Sequence, residues 1–279
     1  MLKLASQRLG GLLQQLVDSG ADHGGRAARP AGNLSHEGDP AGRAAAGDPQ
    51  ADMRASTAAL EAVIAREVFG EGRDSFDLNR LALLAASLDS AAYYSDRMGQ
   101  AHRARDAGAL LTHAMQQRVL EGLTLEFGVA SGYTINLLAD ATKSVVHGFD
   151  GFGGLPEDWR PGFPRGAFAQ PVPAVRDNVE LVIGLFDDTL PRFIAGHPGP
   201  AAFIHIDCDL YSSTRTVFEH CAPSVQAGTV IVFDEYFNYP GWRRHEFRAF
   251  QEFIEATGHR YEYLGVVPAG QQVAVRVIS

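Results

Sequence analysis

The stretch Leu123-Thr124-Leu125-Glu126-Phe127-Gly128-Val129-Ala130-Ser131-Gly132-Tyr133-Thr134 decides how the chain is read. An apolar run leads into Gly128, Gly132 closes a G-x-x-x-G turn, and a helical pattern opens at Tyr133 or Thr134. This is a short buried strand, a glycine turn and a helix start. Glycines let the backbone approach a ligand closely, and free N–H groups at a helix start favour an anionic or polar group. The dinucleotide fingerprint G-x-G-x-x-G would need other glycines and is not met. Taken alone, the turn fits any α/β protein equally well.

The downstream chain adds to it. Ser144–Asp150 is a second apolar strand ending in an acid, and Asp150 follows Gly132 by 18 residues. A doubly wound fold offers a carboxylate to ribose hydroxyls at about that spacing. Val179–Asp188, Ala202–Asp209 and Thr229–Glu235 are further apolar runs ending in acids. Ligands of open α/β sheets bind at the carboxyl ends of strands. Acids gathered on that edge need a cation, a polyol or protons to offset their repulsion.

Five segments carry a family resemblance: Glu126–Gly132 (EFGVASG), Gly148–Trp159 (GFDGFGGLPEDW), Gly184–Pro191 (GLFDDTLP), His205–Thr214 (HIDCDLYSST) and Phe233–Tyr236 (FDEY). In this order they resemble class I S-adenosylmethionine (SAM)-dependent methyltransferases, and more narrowly the macrocin O-methyltransferase group and its bacterial relatives. The resemblance covers residues 100–279 and does not reach the first fifty. Two positions depart from it. Gly151 and Gly153 stand where the family usually has a hydroxyl residue and an acid, and Asp234-Glu235 stands where the pair is often Asp-Asp.

The resemblance implies an α/β fold with a doubly wound, seven-stranded, mostly parallel Rossmann-like sheet in the order 3-2-1-4-5-7-6, the final strand antiparallel. It implies SAM over the first two strand ends, with Gly128, Ser131 and Gly132 at the methionine portion and Glu126 orienting the turn or the amino group. Asp150 would take the ribose hydroxyls, Asp187 would flank the adenine, and the loop starting at Gly151 and Phe152 would wrap the cofactor. Mg²⁺ held by Asp207, Asp234 and Glu235 would chelate the acceptor. The acceptor is a small molecule with hydroxyl groups, a sugar or a glycosylated natural product.

Composition bounds the alternatives. A chain of 279 residues has room for one large domain and an appendage. A net charge of −9 disfavours general nucleic-acid binding. Two cysteines, Cys208 and Cys221, give no disulfide framework, and a reduced cytoplasmic setting fits. No apolar run reaches the roughly 18 residues of a spanning helix. A homo-oligomer stays open.

Residues 1–20 have Leu9, Leu12, Leu13 and Leu16 at amphipathic-helix spacing. That helix either docks on a partner or packs on its own domain. Gln14 and Gln15 interrupt the apolar run, so a signal peptide is not expected. Residues 21–52 hold one large apolar side chain, Leu34, and read as a disordered linker. Residues 53–121 read as a helical cap or lid, with stripes Leu60–Val68 and Leu81, Leu84, Leu88, followed by Tyr93, Tyr94 and Met98. His102, Arg103 and Arg105 are either contacts to a carboxylate or a solvated face. Residues 122–279 form the methyltransferase domain. Within it, the loop 151–178 is long enough to be functional or disordered. Its Trp159, Phe163 and Phe168 argue that it folds back.

Asp207-x-Asp209 admits three readings: a divalent-metal site with Asp234 and Glu235, the Asp-x-Asp of a nucleotide-sugar glycosyltransferase, or an Asp209 cap on the next helix. Strand alternation puts Phe203, His205 and Asp207 on one face, which makes His205 an orienter of ligands. His245, at the start of the helix carrying Phe247, Phe250 and Ile254, is a candidate base, and Gly258 ends that helix. Catalysis is thus assigned to Asp207 and His245. A glycosyltransferase and a non-catalytic methyltransferase-like binding protein remain the rival classes.

Overall fold

The structure is a computed structural model that describes residues 77–279. The helix expected over 1–20, the linker over 21–52 and the stripe Leu60–Val68 lie outside the described residues. Asp77 caps helix α1 (Leu78–Arg97) by accepting from Asn79 N and Arg80 N. A two-residue strand β1 (His102–Arg103) leads to α2 (Ala107–Gln116), capped by Asp106, which accepts from Ala109 N at 2.7 Å. Such caps satisfy N–H groups that have no partner inside the helix.

From there the chain alternates: β2 (Leu123–Phe127), α3 (Tyr133–Asp140), β3 (Val146–Asp150), then β4 (Val179–Ile183), α4 (Phe186–Gly196), β5 (Ala201–Ile206) and α5 (Tyr211–Cys221). β6 (Val230–Phe233), α6 (Glu246–Thr257), β7 (Tyr261–Val266) and β8 (Val273–Val277) complete it. The sheet order is β1-β7-β8-β6-β5-β2-β3-β4. β8 runs antiparallel to β6 and β7, and the other pairs are parallel. The expected order and the antiparallel final strand are therefore present. The eighth strand was not expected: His102 and Arg103, placed by sequence in a helical region, pair with Gly265 and Val266 at the sheet edge.

β5 and β6 are buried along their whole length because helices cover both faces. On one face, Leu110, Leu111, Ala114 and Met115 of α2 join Ile135 and Leu138 of α3 over Phe203, Val230, Val232 and Ala274. The helix that sequence grouped with the cap thus packs directly on the sheet. On the other face, Phe193 of α4, Val217 and Phe218 of α5 and Phe250 and Phe253 of α6 cover Phe127, Phe149, Ile206 and Phe233.

Three local expectations change. In α1, Leu81 is exposed, Leu84 and Leu88 are half-buried, and the buried positions are Ala86 and Ser90. In α6 the fully buried ring pair is Phe250 and Phe253, while Phe247 and Ile254 are partly buried. Asp187 and Asp188 do not end a strand. They sit in the first turn of α4, where negative charge suits the helix dipole. Gly258 closes α6 in the left-handed region at φ 72°, as expected.

Candidate active site

The glycine turn is organised by Asp150. Its Oδ2 accepts from Val129 N and Ala130 N, both at 2.9 Å, and its Oδ1 from Phe152 N at 2.7 Å. The carboxylate assigned by sequence to ribose thus also fixes the turn after β2 and the chain leaving β3. Gly128 has φ 93°, and a Cβ there would lie 1.7 Å from the Asp207 carbonyl oxygen. It lets the backbones that leave β2 and β5 approach closely at the ligand edge. Gly132, at φ 79°, would meet Pro173 at 3.2 Å. The strap around Pro173 is tied down by Asn136, whose Oδ1 accepts from Arg176 N at 2.9 Å and whose Nδ2 donates to Ala174 O at 3.3 Å. The long loop 151–178 therefore folds back across the turn.

A cavity of about 470 Å³ opens over the carboxyl ends of β2, β3, β4 and β5. That volume is in the range of small-molecule sites, about 300–1,000 Å³. Gly128, Asp150, Gly151, Asp187, Asp207 and Glu235, all named from sequence, line it. Glu126, Ser131, Gly132 and Phe152 were also named but are not among its lining residues: Ser131 is exposed, Glu126 is sealed beneath, and Gly132 lies under Pro173. Sequence reasoning missed Leu155, Glu157, Leu185, Phe186, Ser212, Ser213 and Thr216 on the wall. Thr216 donates to Asp187 Oδ1 at 3.2 Å and Ser212 to Glu157 Oε1 at 2.6 Å. The i, i+4 spacing of Ser212 and Thr216 at the start of α5 was the signal available for them.

Below the cavity lies a buried acid cluster. Backbone bonds from Asp207 N to Phe127 O and from Asp234 N to Ile206 O extend the strand ladder one residue past β5 and β6. His205, Asp207 and Asp234 bring one ligand atom each within 4.8 Å of one another. Glu235, expected in that set, is not among these three residues, and His205 is. Glu235 lines the cavity, and its backbone N–H donates to Oε2 of Glu246, a fully buried residue of α6, at 3.1 Å. Glu246 sits in the first turn of α6.

Burial, and then the charge of Asp234, pushes the Asp207 carboxyl well up. Burial also raises Glu235 and Glu246, each reinforced by neighbouring acids. Asp209 is pushed up to about 7 by burial, against the opposing charge of Arg160. Asp209 does not cap α5: the N-cap is Leu210, and Asp209 itself sits at φ 62° on the cavity wall. His245 lies outside the cavity lining, 6.3 Å from the Trp159 ring and 6.0 Å from that of Tyr239, centroid to centroid. Tyr93, partly buried, packs on Trp242, Phe247 and Tyr263 and is not among the cavity lining.

A sheet of this order, with a ligand cavity across its carboxyl edge, defines a Rossmann-like methyltransferase fold. Residues 125–236 match the family model for a methyltransferase domain. This sets aside the glycosyltransferase reading of Asp207-x-Asp209. Among solved structures, CalS11, a calicheamicin methyltransferase, is 21% identical over 87% of this chain and 99% of its own, with a TM-score of 0.50. The O-methyltransferase NovP is 20% identical over 71% of this chain and 97% of its own, TM-score 0.49. An O-methyltransferase from Bacillus cereus in complex with SAH is 19% identical over 79% and 97%, TM-score 0.40. No curated protein matches the chain. Among the described residues, no helix is long and apolar enough to cross a membrane.

Proposed function

We propose that the chain methylates a hydroxyl of a sugar or glycosylated natural product, assisted by a divalent cation. The carrying observation is that Asp207 lines the same cavity as Gly128 and Asp150 and also belongs to the buried His205–Asp207–Asp234 cluster. The sugar class rests on the motif resemblance to the macrocin group. The cavity suits SAM, because Gly128, Asp150 and Gly151 border it at the turn and Leu185, Phe186 and Asp187 border it at the start of α4. The cluster suits a divalent cation, because buried carboxylates that raise one another's pKa gain from a positive charge. Free thiols at Cys208 and Cys221 are in keeping with a reducing cytoplasm.

When bound, SAM supplies a methyl group on a sulfonium, whose sulfur leaves with the bonding pair as the acceptor oxygen takes the methyl. A cation at Asp207 and Asp234 would supply charge that makes an acceptor hydroxyl more acidic. Asp150 keeps the turn in place through three backbone N–H bonds and lines the cavity. Asp187 is steadied by Thr216 at the far end. Asp209, buried on the wall and close to neutral pKa, is the carboxylate placed to receive the hydroxyl proton. Leu155, Trp159 and Leu210 pack the loop 151–178 against the strand ends and keep water from that edge.

The test is transfer of labelled methyl from SAM to a panel of nucleotide sugars and glycosides, beside calorimetry with SAM. Binding of SAM with no transfer to any polyhydroxylated acceptor, and transfer instead to an amine or thiol, would overturn the reading.

A further inference from the structure

Every strand position around His205 aims it at the acid cluster. Glu126 and His205 are register partners on the adjacent parallel strands β2 and β5, so their side chains stand side by side on one face. Asp207 is two residues further along the same face, and Asp234 continues β6 beside it. Glu126 is on the β2 side of the ring and Asp234 on the β6 side. The His205 Nδ1 lies 2.9 Å from Glu126 Oε2, and Glu126 Oε1 accepts from Thr134 Oγ1 at 3.0 Å. A carboxylate only accepts, so Nδ1 carries a hydrogen, and once the ring gives up its second proton the lone pair is on Nε2. Among the described residues, Nε2 has no hydrogen-bond partner, although His205 is only 1% exposed. A buried nitrogen without a partner is costly, and it needs an explanation.

We propose that His205 Nε2 is itself a metal ligand, alongside Asp207 and Asp234, so that the site takes a first-row transition ion such as Mn²⁺ ahead of Mg²⁺. The proposal rests on the cation of the proposed function and names its coordination and class. A ligating histidine characteristically passes its other ring N–H to a carboxylate, which fixes the tautomer and ring plane. Glu126 does that here, and Thr134 holds Glu126 in turn. Mg²⁺ prefers all-oxygen ligands and keeps several waters, whereas imidazole nitrogen suits Mn²⁺, Fe²⁺, Co²⁺ or Zn²⁺. Glu235, the residue that would have made the set all-oxygen, lines the cavity but is not among the three residues whose ligand atoms come together. Asp207 also lines the cavity, so an acceptor there would be within reach of a cation held by these residues.

The experiment uses the full chain, with calorimetric titration of MnCl₂ and MgCl₂ and pulsed electron paramagnetic resonance of the Mn²⁺-loaded protein. Mn²⁺ should bind more tightly than Mg²⁺, and the spectrum should carry nitrogen hyperfine coupling from a bound imidazole. His205→Gln should abolish that coupling. Glu126→Gln should weaken Mn²⁺ by about 10–100-fold while retaining the coupling, as for a residue that positions a ligand. SAM affinity measured alongside reports whether each variant is folded. If His205→Gln fails to fold, the coupling in the unaltered protein decides alone. Mn²⁺ binding without nitrogen coupling overturns the proposal and leaves a cation held by oxygens, with His205 as a counter-charge to the acids. Normal SAM binding with no divalent cation bound overturns both this proposal and the metal-assisted function.

Discussion

His205 Nδ1 and Glu126 Oε2 lie 2.9 Å apart, and both side chains are closed to solvent. The pair sets the charge of the acid cluster. Burial alone would lower the His205 pKa, but the bond and charge of Glu126, with Asp207 and Asp234, push it up to about 9. Burial raises the Glu126 carboxyl, against the pull of His205.

The metal-free protein is expected to lose stability as pH rises. His205 and Asp209 both have folded values, about 9 and about 7, above their ordinary unfolded values of about 6.5 and 3.9. The native state therefore binds more protons than the unfolded state, and stability falls with pH. The His205 contribution is full below about pH 6.5 and is lost through about 9. The Asp209 penalty is absent below about pH 3.9 and grows through about 7. Tm should drop between about pH 6 and 8.5, at roughly 2–4 °C per kcal/mol for a domain of this size. Saturating divalent cation should remove much of the slope. A Tm rising across that window without metal would contradict the assignment.

Asp150→Ala should weaken SAM and loosen the fold together. The substitution leaves the N–H groups of Val129, Ala130 and Phe152 without their acceptor. Each group left unsatisfied costs about 1–3 kcal/mol if it stays buried. Calorimetry with SAM and a thermal melt should both move. An unchanged SAM affinity in a folded variant would remove Asp150 from the site.

Gly128→Ala should be among the most damaging single-methyl changes in the chain. The added Cβ meets the Asp207 carbonyl, and the residue must hold φ 93°. A loss of about 3 kcal/mol or more is expected, with a melt as the measurement. A near-normal Tm would mean that β2 and β5 separate more easily than their register implies.

Excess EDTA should abolish methyl transfer while SAM still binds, and divalent cation should restore it. Asp207→Asn should lower turnover far more than SAM affinity. Glu235→Asp should be tolerated, because Glu235 lies outside the His205–Asp207–Asp234 set. Full activity in EDTA would sink the cation requirement.

His245→Ala should keep most of its turnover. A general base contributes about 10²–10⁴-fold, and a loss of that size at unchanged SAM affinity would restore His245 to the chemistry. Its position between Trp159 and Tyr239 instead predicts a modest packing effect.

The apolar runs and their terminal acids in the sequence pointed to an α/β sheet with a ligand edge, and the resemblance to class I methyltransferases supplied the strand order and the antiparallel last strand. A parallel strand buried on both faces is continuously apolar, which is why Val230–Phe233 and Ala201–Ile206 read as strands. The turn at Gly128 and the acid at Asp150 were legible for the same reason. The tertiary structure alone decided which acids meet. Asp234 and Glu235 are neighbours in sequence, but the ligand atoms that come together are those of Asp234, Asp207 and His205, and only the register of β5 against β6 puts Asp234 beside Asp207. His205 and Glu126 stand 79 positions apart, and no local pattern links them. Register across β2 and β5 makes them partners, leaves Nε2 without one, and brings a nitrogen into the cluster that sequence had composed of oxygens.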